Sequence, residues 1–397
     1  MALDLMKERG IPLDRQEFNW HDLIRTPISK LNDDAFTRVR VILMNGIEME
    51  AMNFSHNFAR VNRDMRRELA MVRRIEKHQQ SLVNNLLPAD QSTLETTLGY
   101  EQVAIEVTAT VAQHEPDPYM KQAYHFGLLE DFDHLYRYSA LLDRLEGKDP
   151  NNIVQGYSDI IPGRPTKDQH RHPFDDVRNA YDRKTAAPIT KLHALLILAA
   201  EQQTGNFYNN VGPLYADPVA RQLYAEIASI EEQHVTQYES LQDPDETLME
   251  KWLMHEAMEV YTYFSCMQQE QNPRIKLIWE QMCQFELGHL QYVMQLFQRV
   301  ENRDPAEILP ASLPEPLEFK SHRQYVRDVL NREVELRASG PNFVPRSQES
   351  QASIAYRKMM NAKGVPTEIV SAGYQWMPGT ELMARAQAIR AQEVRVH

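Results

Sequence analysis

The chain has 397 residues, of which 42% are hydrophobic and 25% charged, so it holds enough apolar material for large cores and too much for a disordered chain. Its formal net charge of −13 argues against nucleic acid or an anionic membrane as the main partner. Only two cysteines are present, Cys266 and Cys283, which excludes a disulfide scaffold and any metal centre built from four thiolates.

The first residues carry charges where a secretory signal needs an apolar run, and no stretch is long and apolar enough to span a membrane. We therefore expect a cytoplasmic protein without a membrane partner. Residues 1–32 are interpreted as an irregular N-terminal arm. Over 33–143, apolar residues recur at helical spacing and predict four helices, with breaks near 62–64, 88–92 and 115–118.

Residues 144–186 are punctuated by glycine and proline and predict a linker, in which His170 and His172 are expected to be solvated. Helical periodicity returns over 187–300 and predicts four more helices. The tail, 301–397, is interpreted as an arm that wraps the bundles or a neighbouring subunit of a homo-oligomer. Within the tail, short helices are expected near 320–337, 350–362 and 379–395.

Three pairs of acidic residues share one spacing of 30 positions, namely Glu101 and Asp131, Glu201 and Glu231, and Glu256 and Glu286. An Asp or Asn followed by Pro lies just after each midpoint, and this dipeptide is typical of a helix start. Each interval is therefore predicted to be a helical hairpin whose two carboxylates stand level. A histidine follows each second acid by three residues, on the same helix face: His134, His234 and His289.

Two such hairpins packed together offer four carboxylates and two imidazoles, which is the ligand set of a two-metal carboxylate site in a four-helix bundle. Carboxylate oxygens with a few imidazoles suit Fe or Mn. The range 187–300 contains a whole set, and the sequence predicts that its members converge there: Glu201, Glu231, His234, Glu256, Glu286 and His289.

The motifs around these residues resemble those of rubrerythrins, in the ferritin-like di-iron carboxylate superfamily. The stretch from Glu201 to Tyr208 is similar to the first-helix motif, and Ile227-Ala-x-x-Glu231-x-x-His234 is similar to the second. The helical periodicity and the matched intervals predict an all-α fold of two tandem four-helix bundles, over 33–143 and 187–300. The resemblance, which covers about 187–300, implies two iron ions, or manganese instead, in the second bundle. It also implies that Glu259 is a reserve ligand exchanged on redox change and that Tyr208 hydrogen-bonds near the metals, although an ordinary core tyrosine is an equal alternative.

The function that this resemblance implies is a peroxidase or oxidase that reduces hydrogen peroxide or O2. No rubredoxin-like module is present, so electrons would come from an external protein or small reductant. A dimanganese catalase-like enzyme and a non-catalytic protein that handles iron stay open as alternatives.

The range 33–143 reads as a degenerate duplicate of 187–300, because Glu48 to Asn57 lines up with Glu201 to Asn210. One Glu-x-x-His is missing from this copy, since the spacing of 30 leads to His78 and Ser81, and a shift by two leads to Glu76 and Gln79. A second metal site is predicted from the remaining residues: Glu48, Glu76, His78, Glu101, Asp131 and His134. The chemistry is therefore expected in the second bundle, with the first bundle secondary.

Overall fold

The computed structural model describes residues 3–310 and 312–378, and within them the chain is mostly helical, as predicted. A single two-stranded antiparallel sheet accompanies the helices in the described ranges. The strands are β1 (Leu336–Ser339) and β2 (Asn342–Pro345), with Leu336 opposite Pro345. The α-helices are α1 (Trp20–Leu23), α2 (Ala35–Val61), α3 (Arg66–Asn84), α4 (Thr93–His114), α5 (Pro118–Glu146), α6 (Asn151–Val154), α7 (Pro188–Val211), α8 (Pro218–Ser240), α9 (Leu248–Gln269), α10 (Pro273–Glu301), α11 (Arg323–Glu333), α12 (Gln351–Met360) and α13 (Pro366–Val370).

The turns of the predicted hairpins lie at the Asp-Pro and Asn-Pro dipeptides. Asp117 caps α5 by accepting hydrogen bonds from two backbone N–H groups of its first turn, and Asn272 caps α10 in the same way. Asp217 caps α8 through the N–H of Ala220. Because the side-chain oxygen satisfies otherwise unpaired donors and Pro has the helical φ already set, each dipeptide fixes the start of a returning helix.

Four helical hairpins make up the body of the molecule: α2 with α3, α4 with α5, α7 with α8, and α9 with α10. The first helices of the hairpins also contact one another, because α2 packs on α4, α7 and α9, and α7 packs on α4 and α9. These contacts join the ranges 33–143 and 187–300 directly. Buried hydrophobic side chains fill the spaces between the hairpins, among them Trp279, Tyr263 and Phe132. In the described ranges, no helix combines the length and the apolar character that crossing a bilayer requires.

The N-terminal arm packs against α10. The backbone N–H of Ile11 donates to the carbonyl of Gln284 over 2.8 Å. A Cβ atom at Gly288 would lie only 1.9 Å from the carbonyl oxygen of Ile11, so the approach of the arm requires glycine at this position. The arm thereby carries Gln16, which is 4% exposed, into the interior.

The segment 144–186 is a packed part of the structure rather than a solvated linker. Arg164 is fully buried and donates to the carbonyl of Phe126 over 2.7 Å. The expectation that His170 is solvated is wrong, since it is 2% exposed and its Nε2 lies 3.5 Å from Glu226. His172 is half-buried, and its Nδ1 accepts from the N–H of Phe174.

The described part of the C-terminal tail wraps the chain's own helices α5 and α8. His125 of α5 lies 2.6 Å from the hydroxyl of Tyr325 in α11, and the backbone N–H of Thr367 donates to Glu226 of α8. The helices predicted near 320–337 and 350–362 correspond to α11 and α12, but the first is shorter because the chain turns into strand β1 at Leu336. The helix predicted near 379–395 lies outside the described residues.

Candidate metal centres

Two clusters of buried acids and histidines lie between the hairpins. The first centre lies between α4–α5 and α7–α8, and the second centre lies between α2–α3 and α9–α10. The first centre contains a Glu from each of two helices and an acid-x-x-His from each of the other two: Glu101, Asp131, His134, Glu201, Glu231 and His234. It is therefore the complete six-donor set that a two-metal carboxylate site requires.

The prediction that a complete set converges within 187–300 is wrong. Glu201, Glu231 and His234 face α4 and α5, whereas Glu256, Glu286 and His289 belong to the second centre. Each centre thus takes one hairpin from 33–143 and one from 187–300. The spacing within a hairpin sets which carboxylates are level, but it carries no information about which other hairpin they face.

The donors of the first centre form two groups that share Glu231. One group contains Asp131, Glu201, Glu231 and His234, the other contains Glu101, His134 and Glu231, and within each group one ligand atom from every residue lies within 4.8 Å of the others. The Nδ1 atom of His234 lies 3.2 Å from Asp131, 3.4 Å from Glu231 and 3.5 Å from Glu201. The Nδ1 atom of His134 lies 3.1 Å from Glu231. Each of the two groups could hold a metal ion, and each contains one imidazole.

The polar atoms of the first centre fit a metal because they lack other partners. All six donors are at most 1% exposed. Seven of the eight carboxylate oxygens have no hydrogen bond within the described part of the chain, and the eighth, Oε1 of Glu101, accepts from Tyr208. Four carboxylates buried together repel one another and are poorly solvated, so a cation at their centre would relieve both costs. These groups can hold a metal ion.

The Nε2 atom of each imidazole in the first centre, on the side away from the carboxylates, lies within hydrogen-bond distance of a side-chain oxygen. The Nε2 of His234 lies 2.8 Å from Oε2 of Glu130, and the Nε2 of His134 lies 2.8 Å from Oε1 of Gln169. Such contacts fix the ring and leave Nδ1 free to face the carboxylates, as is usual for histidines that bind metals. Arg171 in turn holds Glu130, with its NH1 group 2.9 Å from Oε2.

Gln169 and Arg171 belong to the segment interpreted from the sequence as a linker. Their role was missed because proline and glycine in this segment indicate irregular backbone and say nothing about what the side chains contact. The buried ion pairs of Arg171 with Glu130 and Asp176 could have been suspected only from the unusual number of charged residues in the segment.

Burial and the neighbouring charges shift the pKa values of the donors in opposite directions. Burial lowers the pKa of His134, but Glu231, Glu101 and Asp131 outweigh burial and raise that pKa to about 10. Burial opposes ionisation of Glu231, but its contacts with His134 and His234 prevail and lower its pKa to about 2. Burial raises the pKa of Glu201 well above its usual value, with the nearby Asp131 adding to the effect. The histidines thus favour the charged form of Glu231, whereas burial and Asp131 favour the neutral form of Glu201.

Tyr208 lies at the first centre and donates a hydrogen bond to Oε1 of Glu101. It is two helical turns beyond Glu201 on α7, and it reaches across to α4. The second centre repeats this contact, because Tyr263, two turns beyond Glu256, donates to Oε1 of Glu48. Both tyrosine hydroxyls are buried, so each requires the partner that the carboxylate provides.

The second centre is richer in carboxylates and poorer in imidazoles than the first. Its donors are at most 2% exposed, and they are Glu48, Glu76, Gln79, Glu256, Glu259, Glu286 and His289. Of the alternatives left by the sequence, Glu76 and Gln79 are the residues that face this centre. His78 does not face it, because it is half-buried and its ring packs edge-on against Phe18 at 5.6 Å. Glu259, predicted to act beside Glu201 and Glu231, lies here instead.

The N-terminal arm holds the one histidine of the second centre. The Nε2 of His289 lies 2.7 Å from Oε1 of Gln16, and Nδ1 lies 3.0 Å from Glu286. The amide of Gln16 also donates to the carbonyl of Phe285 over 2.9 Å, which fixes its orientation. Nothing in the sequence near Gln16 distinguishes it from glutamines that are exposed, so this role depends on the packing of the arm.

Comparison with protein-family models, with curated proteins and with solved structures finds no match to this chain. The assignment of function therefore depends on the chemistry of the two centres.

Proposed function

We propose that this chain is a rubrerythrin-like di-iron oxidoreductase of the ferritin-like superfamily, which reduces hydrogen peroxide or O2 with electrons from an external donor. The observation that carries the proposal is the convergence of four carboxylates and two inward-facing imidazoles in the first centre. Carboxylates with imidazoles are ligands that Fe accepts readily. The reaction is assigned to the first centre because it alone, among the described residues, has an imidazole in both of its donor groups.

When bound, a pair of iron ions would supply redox equivalents and polarise the O–O bond of the oxidant. The side chains of the protein would hold the ions, hold a proton and exclude water. Glu231 belongs to both donor groups and would be a ligand common to them. The hydroxyl of Tyr208 holds a proton at Oε1 of Glu101, beside the donor groups. Burial of all six donors excludes bulk water and favours a small substrate.

A polar cavity of about 520 Å³ lies between α2, α7 and α8. It is lined by Gly205 and by polar side chains that include Asn53, Asn206 and Glu232. A Cβ atom at Gly205 would lie 3.2 Å from Cβ of Glu231, so the wall of the cavity at this glycine is close to the side chain of a donor residue.

The position of Glu259 changes one part of the reaction inferred from the resemblance. A ligand exchange by Glu259 cannot occur at the first centre, because this residue faces the second. The residue at the corresponding place after Glu101 is Ala104, which has no donor atom. The proposed reaction therefore proceeds with the six donors of the first centre and Tyr208.

The experiment is peroxide consumption by the iron-loaded full chain with a chemical reductant, compared between the variants His234→Ala and His289→Ala. Strong loss in His234→Ala and retention of most turnover in His289→Ala would support the proposal. Equal loss in both variants would contradict the assignment to the first centre. Oxygen evolution without reductant would indicate the catalase-like alternative, and retained metal without turnover would indicate iron handling.

A further inference from the structure

The two centres differ in the chemistry of their donors. With all acids ionised and the imidazoles neutral, the four carboxylates of the first centre carry a formal charge of −4, and the five of the second carry −5. The first centre has two imidazoles, whereas the second has His289 alone. Where the first centre has Glu231-x-x-His234, the second has Glu76-x-x-Gln79, so an amide replaces an imidazole.

One of the two donor groups in the second centre contains oxygen donors only, and this group is called the oxygen-only position. Glu256, Glu259 and Glu286 place carboxylate oxygens within 4.8 Å of one another. The other donor group of the second centre contains Glu76 and His289. It shares Glu256 with the oxygen-only position. Glu48 lies beside these groups, since the amide of Gln79 donates both to Glu48, over 3.4 Å, and to Glu286.

Several oxygens of the second centre are buried without a hydrogen-bond partner in the described part of the chain. Both oxygens of Glu259 are buried and receive no hydrogen bond from the described residues. The Oε1 atom of Gln79 is also buried without a partner in this part of the chain. These unsatisfied oxygens distinguish the cluster from an ordinary group of acids, because an acceptor buried without a donor costs free energy that a cation would offset.

We propose that the second centre selects a harder divalent cation than the first, and that this ion is Mn²⁺. Oxygen donors favour Mg²⁺, Ca²⁺ and Mn²⁺, whereas a larger share of imidazole favours Fe²⁺ and later metals. Mg²⁺ and Ca²⁺ take oxygen ligands, so the retained His289 favours Mn²⁺ among the hard ions. The inference does not depend on the reaction proposed for the first centre.

The test is metal competition on the full chain, stripped of metal and then equilibrated without oxygen against equal concentrations of Fe²⁺ and Mn²⁺. Anomalous scattering at the two absorption edges locates each metal in crystals, and the EPR signal of bound Mn²⁺ reports the same in solution. We expect a higher ratio of Mn to Fe at the second centre than at the first. Equal ratios, or more Fe at the second centre, would overturn the proposal.

Two variants change the donors in opposite ways. Gln79→His adds an imidazole and should lower the Mn-to-Fe ratio of the second centre toward that of the first, with the neighbouring Gln80→His as control. Glu259→Gln removes a charge from the oxygen-only position and should reduce Mn²⁺ binding there, which keeps the proposal testable should Gln79→His misfold. An unchanged ratio in a folded Gln79→His protein and unchanged Mn²⁺ binding in Glu259→Gln would each refute it. Peroxide turnover plays no part in these readouts, so failure of the proposed function leaves them unaffected.

Discussion

Glu231 is the residue on which the first centre depends most, because it belongs to both donor groups. Glu231→Gln keeps the shape of the side chain but removes a charge and one carboxylate oxygen. We expect the metal content to fall by about two ions per chain, the number held by a di-metal site of this kind. The measurement is metal analysis after loading, with the exposed neighbour Glu232→Gln as control. A full metal content in Glu231→Gln would show that this residue is not a shared ligand.

Gln169 and Gln16 are also informative, since each contacts the Nε2 atom of one histidine, His134 and His289 respectively. Replacing either with Leu should free the ring and weaken metal binding by about 10- to 100-fold, the usual cost of losing such a contact. Gln169→Leu should affect the first centre only, and Gln16→Leu the second only. Metal titration of both variants tests this, and loss at the wrong centre would contradict the pairing described above.

At the scale of the elements, the decisive feature is that α4–α5 faces α7–α8. This pairing reverses an expectation from the sequence, in which His134 belongs to a secondary bundle and His234 to the active one. In the structure both rings lie in one centre, with centroids 6.0 Å apart. We expect His134→Ala and His234→Ala to reduce metal binding and turnover to a similar extent. Turnover at equal iron loading is the measurement. Full turnover by the His134→Ala variant would show that the two hairpins do not share a centre.

Glu106 ties three elements together, since it lies on α4 and accepts hydrogen bonds from Ser158 and from the backbone of His322. Burial raises its pKa to about 7, against the two hydrogen bonds that lower it. Because this pKa is above that of an exposed Glu, the folded state is favoured while Glu106 is protonated. That stability is present below about pH 4.5 and is lost as the pH rises to about 7, with a total of roughly 3 kcal/mol.

The prediction for Glu106 is tested by comparing the wild type with Glu106→Gln, which does not titrate. The wild type should lose stability relative to the variant as the pH is raised from about 4.5 to 7. Urea unfolding midpoints across this interval measure the difference. A parallel pH dependence in the two proteins would show that folding does not shift the pKa of Glu106.

At the scale of the whole molecule, the two centres join all four hairpins, so metal should stabilise the entire fold. Binding to the native state at about 100 times the dissociation constant contributes about 2.7 kcal/mol per site. Chelation should therefore lower the melting temperature by several degrees, and re-addition of metal should restore it. In Glu231→Gln the shift should be smaller, because only the second centre remains. An unchanged melting temperature after chelation of the wild type would argue against metal in both centres.

The long helices, their starts and the hairpins follow from the amino-acid sequence alone. These features are local, because capping residues and proline act within one turn, and the spacing of 30 residues fixes which carboxylates stand level. The donors Glu101, Asp131, His134, Glu201, Glu231 and His234 were all named from that spacing, as were Glu256, Glu286 and His289. The choice between Glu76 and His78 stayed open, since the first hairpin lacks the regular spacing.

Only the tertiary structure decided which hairpins face each other, and hence which donors share a centre. Each hairpin presents the same kind of polar stripe to the interior, so several pairings satisfy the same local pattern. The contacts of α2 with α7 and of α4 with α7 bring the two halves of the chain together. The contacts of Gln16 and Gln169 were likewise decided by packing, because irregular segments have no periodicity from which the direction of a side chain can be inferred.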